Sequence, residues 1–184
     1  MTQPPPTVFP DWSPYADLDS AARAYLRDPD LALEALQRQL GDTDVIGFTL
    51  ERFVNEYNGV WQEVVVCDGS RLLLWHGEDA QPGDGHPGSM ISSLRVVPMS
   101  AVAEVGCRRR ITRTGDGVRV DGVDVYVLLR SLDDAPAGAD EHRPPLRQDA
   151  LRFGKTLEDG GAGQIARLEE FAQLVASLTG RTVR

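Results

Sequence analysis

Lysine is nearly missing from this chain. Lys155 is the only one in 184 residues, and arginine supplies almost all of the positive charge. Nineteen basic side chains stand against 28 acidic ones, for a formal net charge of −9 and a pI near 4.8. A negative field of that size opposes nucleic acid and anionic lipid unless a local basic face overrides it. Cysteine is scarce as well. Cys67 and Cys107 form no C-x-x-C, and both stand in apolar strand patterns, where a free thiol behaves as a small buried hydrophobe. The three histidines, His76, His86 and His142, lie at no i, i+4 spacing from another ligand. The set therefore carries no zinc-site spacing, and neither a metal nor a cofactor is expected. No segment approaches the roughly 18 consecutive apolar residues of a membrane helix. The opening MTQPPPTVFPDW lacks the basic and apolar regions of a secretory signal. These absences set the expectation at a cytoplasmic protein without a membrane span.

What is present is ordinary for a globular chain: 41% hydrophobic and 26% charged residues. The length suits one domain with appendages. Residues 1–14 hold five prolines and read as an extended arm, with Phe9 and Trp12 as its docking or partner-contact residues. Residues 15–43 read as a helical appendage. Asp19 or Ser20 can cap a first helix, and Asp28-Pro29 restarts the chain as N-cap and first helical residue. Leu31, Ala35 or Leu36, and Leu40 give the second helix an apolar face, and Gly41 stops it.

From Val45 the hydrophobic period changes to two. Residues 44–184 then read as a β domain. Ile46, Phe48, Leu50 and Phe53 mark a first strand, bulged near Arg52, and Asn58-Gly59 is a hairpin signal. Trp61–Cys67 pairs back, and Asp68-Gly69 turns the chain into Arg71–His76, so two-residue turns join a three-stranded meander. Further strands are predicted at Met90–Val97, Val102–Thr114, Val123–Leu132 and Gln148–Lys155, with polar loops over 77–89 and 133–147. Asp121-Gly122 reads as a turn or a bulge. A Gly-rich linker, Glu158–Gly163, leads into an amphipathic helix over 164–179, with Ile165, Leu168, Phe171 or Ala172, Val175 and Leu178 on one face.

Seven strands and a closing helix organise themselves around Leu94–Thr114. There Val96-Val97-Pro98-Met99-Ser100-Ala101-Val102-Ala103-Glu104-Val105 places a proline between two strands. Proline cannot donate to a ladder, so it belongs where pairing breaks and the chain turns a corner. This step resembles the apolar-Pro-apolar-Ser-x-x-apolar step of bacterial pleckstrin-homology-like and GRAM-like domains. The Ala-, Gly-, Asp- and Arg-rich composition resembles that of actinobacterial domain families. The resemblance implies an α+β fold, a PH-like antiparallel β-barrel or sandwich of about seven strands plugged by the C-terminal helix. Phosphoinositide-binding members place Lys and Arg on the first hairpin. Here that hairpin carries Glu51, Arg52, Asn55, Glu56, Asn58 and Glu63 and is net acidic, which argues against a lipid headgroup.

The basic cluster is Arg108-Arg109-Arg110 with Arg113. Arg108, Arg110 and Arg113 are the candidate anion-binding residues, since a guanidinium offers bidentate geometry. The competing reading is an edge strand whose charge prevents sheet-to-sheet pairing. A Cys67–His76 pair across a hairpin is a candidate nucleophile–base combination, against the reading of a strand-buried Cys as inert packing. The carboxylates Glu78, Asp79, Asp84, Asp133, Asp134, Asp140 and Glu141 support an alternative, a small metal-dependent, phosphodiesterase-like hydrolase, although they match no EF-hand spacing. The leading expectation is a non-catalytic binding or scaffold module acting through protein contacts, with self-association left open.

Overall fold

The computed structural model describes residues 9–55, 58–81, 83, 85–130 and 149–179. Two helices, α1 (Leu18–Tyr25) and α2 (Pro29–Leu40), precede four strands, β1 (Gly47–Val54), β2 (Val60–Cys67), β3 (Arg71–Asp79) and β4 (Met90–Pro98). A single 3-10 turn at Met99–Ala101 leads into β5 (Val102–Thr114), β6 (Gly117–Leu129) and β7 (Ala150–Thr156), and α3 (Gly161–Leu178) follows. The fold is α+β. Its strands form two antiparallel sheets in sequence order, β1-β2-β3-β4 and β5-β6-β7. No ladder joins the sheets, so the arrangement is a sandwich of two separate sheets and the described strands close no barrel. No helix among the described residues is long and apolar enough to cross a membrane.

Strand alternation gives the first sheet two buried faces. Val65, Cys67, Leu72, Leu74 and Val97 point into a core shared with Val123, Val125, Val127, Leu151 and Phe153 of the second sheet and with Ile165, Leu168, Phe171 and Val175 of α3. Phe48, Leu50, Val64, Val66, Leu73 and Trp75 point the other way, onto Trp12, Ala22, Tyr25, Ala32 and Leu36. The near-continuous apolar runs of β2 and β3 follow from this, since both faces are covered. The helical segment thus supplies a third layer for the first sheet.

The structure corrects the sequence-based expectations at several ends. Asp17, and neither Asp19 nor Ser20, caps α1, its carboxylate accepting the Ser20 N–H at 2.8 Å. Asp28 makes no capping bond, because its carboxylate instead accepts from the Gln62 side chain at 2.6 Å and from Arg27 Nε at 2.7 Å. The β1–β2 connection runs from Asn55 to Gly59, with Asn58 in the left-handed region (φ 59°) and the Asn55 N–H donated to Gly59 O at 2.9 Å. Loop residues 68–70 join β2 to β3, so neither turn has two residues. The β1–β2 register is continuous through Arg52, without a bulge. Of the turn or bulge expected at Asp121-Gly122 the structure shows the bulge: β6 runs unbroken through these residues, and a register shift against β5 absorbs one residue. α3 begins at Gly161, inside the expected linker, behind Gly160 in a left-handed conformation (φ 109°). Cys67 is buried as expected, but Cys107 is exposed, since its strand lies at the edge of the second sheet.

Candidate functional site

The second sheet ends in β5, a 13-residue strand paired on one side only, to β6. Among the described residues no backbone hydrogen bond reaches it from the other side. α3 runs beside it and walls a groove of about 610 Å³ lined by Val105, Cys107, Ile111, Ala172, Gln173 and Ala176. The small residues on α3 leave the groove open, and Ile111 remains 52% exposed on its floor. Arg109 bridges the groove's edge by pairing with Glu169 of α3.

The three candidate arginines do not converge. Register sets Arg108 opposite Asp124 and Arg110 opposite Gly122, on the sheet face turned away from α3. Arg108 is already in an ion pair with Asp124 at 2.9 Å. Arg113 lies beyond the register shift, opposite Val118 and on the same side as Arg109 and Ile111. Arg110 and Arg113 are exposed, and neither has an ion-pair partner within 4 Å among the described residues. Of the two aromatic candidates in the arm, Trp12 has no exposed surface: it packs on Phe48 at 5.6 Å between ring centroids, under the Arg167 guanidinium. Nothing of Trp12 is left for a partner. Phe9 is partly exposed, and its ring carries the Arg52 guanidinium at 4.7 Å.

The groups proposed for catalysis are dispersed or engaged. Cys67 stands opposite Leu72 and His76 opposite Glu63, four residues along β2 and so about 13 Å apart. Burial also pushes the Cys67 thiol up, away from the reactive thiolate. Asp79 is held by Arg27 and by the Val60 N–H, and Glu78 lies 3.6 Å from His76. Asp84, Asp133, Asp134, Asp140, Glu141 and His142 fall outside the described residues. Among the described residues no three metal-ligating side chains gather.

A second constellation escaped the sequence reading. Glu51 of β1 and Glu63 of β2 are direct cross-strand partners, on the face turned toward the second sheet, and His76 of β3 continues the row. Beside it Phe53 stacks on Trp61 with centroids 4.5 Å apart. The Glu51 carboxylate accepts the Gly154 N–H of β7 at 2.7 Å, a bond between the two sheets. Next along β7, Lys155 is 1% exposed, its Nζ 3.2 Å from the Tyr25 hydroxyl. Desolvation drives Glu51 and Glu63 up to about 7, moderated at Glu51 by Lys155 and the Gly154 N–H and reinforced at Glu63 by Glu51. Burial lowers Lys155 against the opposing pull of Glu51 and Asp159. The visible signal was a single lysine inside an apolar strand, where a buried charge requires a partner.

Comparison with protein-family models, curated proteins and solved structures finds no match to this chain.

Proposed function

We propose that the chain is a non-catalytic, PH-like binding module that captures a protein partner by strand addition to β5. The observation that carries this reading is the edge of β5 beside α3, unpaired among the described residues. An edge strand offers a row of unpaired N–H and C=O groups, and a neighbouring apolar groove supplies pockets for alternate side chains of an added strand. Four strands, a proline corner, three strands and a C-terminal helix follow the order that the PH-like resemblance implies, and this supports the family reading. The engagement of Asp79, one of the carboxylates of the hydrolase alternative, by Arg27 favours binding over catalysis, since that group is not free to act on a substrate.

The occupant is an extended segment of another protein, with acidic side chains where it passes Arg110 and Arg113. A second copy fits poorly. Antiparallel pairing of β5 with its own copy about the strand centre sets Arg108 against Arg108, and like charges directly opposite destabilise a pair.

Selection of linear peptides from a random display library tests the proposal. Selected peptides should bind the wild-type chain with an affinity that falls as salt rises. Binding should be lost in Ala176→Trp, which fills the groove from an exposed position on α3, and kept in Leu31→Ser on the exposed side of α2. Failure to select any peptide, or selected peptides that bind Ala176→Trp undiminished, would overturn the reading.

A further inference from the structure

We infer that Glu51, Glu63 and Lys155 form a proton-operated latch at the junction of the two sheets, closed while the carboxylate pair holds one proton and loosened when both carboxylates are ionised. The inference rests on placement. Two carboxylates stand directly opposite each other across β1 and β2. One of them, Glu51, takes the Gly154 N–H and so ties the first sheet to β7 of the second. The adjacent residue on β7 is the chain's only lysine, buried against Tyr25 with its Nζ 5.2 Å from the ring centroid.

The charges that face this junction come from every element around it. β1 contributes Glu51, and from its other face Arg52, which donates to Tyr25 O at 2.9 Å. β2 contributes Glu63, and β3 contributes His76 opposite Glu63, already 3.6 Å from Glu78. β7 contributes Lys155, the following loop Asp159, and α1 the Tyr25 hydroxyl. Lys155 can compensate one carboxylate. Glu51 accepts the hydrogen bond and stands in the field of Lys155, so it is the better site for the negative charge, and Glu63 is the better site for the shared proton. Such a pair titrates as a unit, and desolvation places that titration near neutrality. When the proton leaves, two like charges face each other in a partly buried site with one cation between them and β7. Separation of β1 from β7 breaks the Gly154 bond and admits water, which screens that repulsion and reaches Lys155.

The single lysine supplies the readout. An N-hydroxysuccinimide acetate probe is applied to the full chain from about pH 6 to about pH 8, and modification of Lys155 is read by peptide mapping. Its rate is normalised to that of free N-acetyl-lysine amide, which removes the intrinsic pH dependence of an amine. The normalised rate in the wild-type chain should rise roughly tenfold across this window. In Glu63→Gln, which keeps the shape and removes the charge, it should stay low and flat. A flat wild-type profile, or an equal rise in Glu63→Gln, overturns the inference. Amide exchange at Gly154 tests the latch without any substitution. Its protection, corrected for intrinsic rate, should fall over the same window, and constant protection overturns the latch.

Discussion

Arg27 forks onto Asp79, its Nη1 2.7 Å from Oδ2 and its Nη2 2.6 Å from Oδ1. The pair joins the α1–α2 turn to the end of β3. Around it the Arg27 N–H donates to Gln62 Oε1 at 2.9 Å and the Val60 N–H donates to the Asp79 carboxylate at 2.8 Å. Gln62 is wholly buried between these groups. One polar bracket therefore fastens the helical layer to the first sheet, where apolar packing alone would allow it to slide.

Asp79→Asn should cost about 1–2 kcal/mol in urea unfolding, because a bidentate charge-assisted pair becomes at best one neutral hydrogen bond. Its pH dependence has a definite sign. The hydrogen bond from Arg27 holds Asp79 below its ordinary 3.8, so the native state binds fewer protons there than the unfolded chain. The contribution is complete above that ordinary value and disappears as pH falls through the folded one. Acid titration of stability should show a loss below about pH 4 that Asp79→Asn lacks. Equal acid slopes in both chains would contradict the assignment.

Trp12 makes the described end of the proline-rich arm, residues 9–14, part of the core. It fills the space between Phe48, Ala21, Ala22 and the Arg167 guanidinium. Trp12→Ala should destabilise by about 3–5 kcal/mol, the range for deleting a buried large aromatic. Phe9→Ala, from a partly exposed position, should cost less than half as much. Chemical denaturation of the two variants separates a docked arm from a loosely held one.

Gly77 lies under an aromatic ring. A Cβ there would approach the Trp75 ring to 2.5 Å, and that ring is wholly buried with its Nε1 donating to Ser92 Oγ at 2.9 Å. Gly77→Ala should therefore cost about 1–3 kcal/mol by overpacking and weaken the Trp75 hydrogen bond. Intrinsic fluorescence, red-shifted as Trp75 gains water, gives the local readout.

Periodicity made the elements legible, and connection length decided what was missed. The strands β2 and β3, the Val97-Pro98 corner and the apolar stripe of α3 all appear where the pattern placed them. The Glu51–Glu63 pair stayed hidden because register depends on loop length. A two-residue turn at Asn58-Gly59 would set Glu51 against Val66 and turn the two glutamates apart, whereas the loop from Asn55 to Gly59 sets Glu51 against Glu63. The groove was hidden for a related reason: α3 shows an amphipathic face, but nothing in its sequence says which strand it lies beside. The burial of Trp12 and Lys155 likewise depends on contacts across 36 and more residues of chain, which no local pattern encodes.

The Glu51–Glu63 pair also predicts how stability varies with pH. Both carboxylates are raised from an ordinary 4.5 to about 7, so the folded state binds protons in that interval that the unfolded chain has released. Their contribution is complete below 4.5 and is lost as pH rises through about 7. Lys155, lowered by burial, acts in the opposite sense: its folded state binds fewer protons below the ordinary 10.5, so stability recovers as pH climbs toward that value. The thermal midpoint should therefore decline from about pH 5 to about pH 7 and rise again in the alkaline range. Glu63→Gln should flatten the decline and melt higher than the wild type above neutrality. A midpoint that climbs steadily from pH 5 would refute the assignment.

Arginine on β5 serves a purpose even before a partner arrives. The strand is long, one side of its backbone is unpaired among the described residues, and Ile111 near its far end and Val118 on the adjoining β6 are exposed, 52% and 68% accessible. An edge of that kind pairs with its own copies unless charge prevents it. Arg108, Arg110 and Arg113 sit along it on both faces, so a second copy brought into register meets a guanidinium whichever way it docks. Replacing all three by Gln keeps side-chain length and polarity and removes the repulsion. The triple variant should elute at larger size in size-exclusion chromatography with light scattering, with a concentration dependence the wild type lacks. Peptides selected on the wild-type chain should bind it more weakly and with little salt dependence, because the same charges that exclude a copy attract an acidic segment. A variant that keeps the wild-type size and loses peptide binding would assign the arginines to recognition alone. One that associates and still binds peptide with an unchanged salt slope would assign them to edge protection alone.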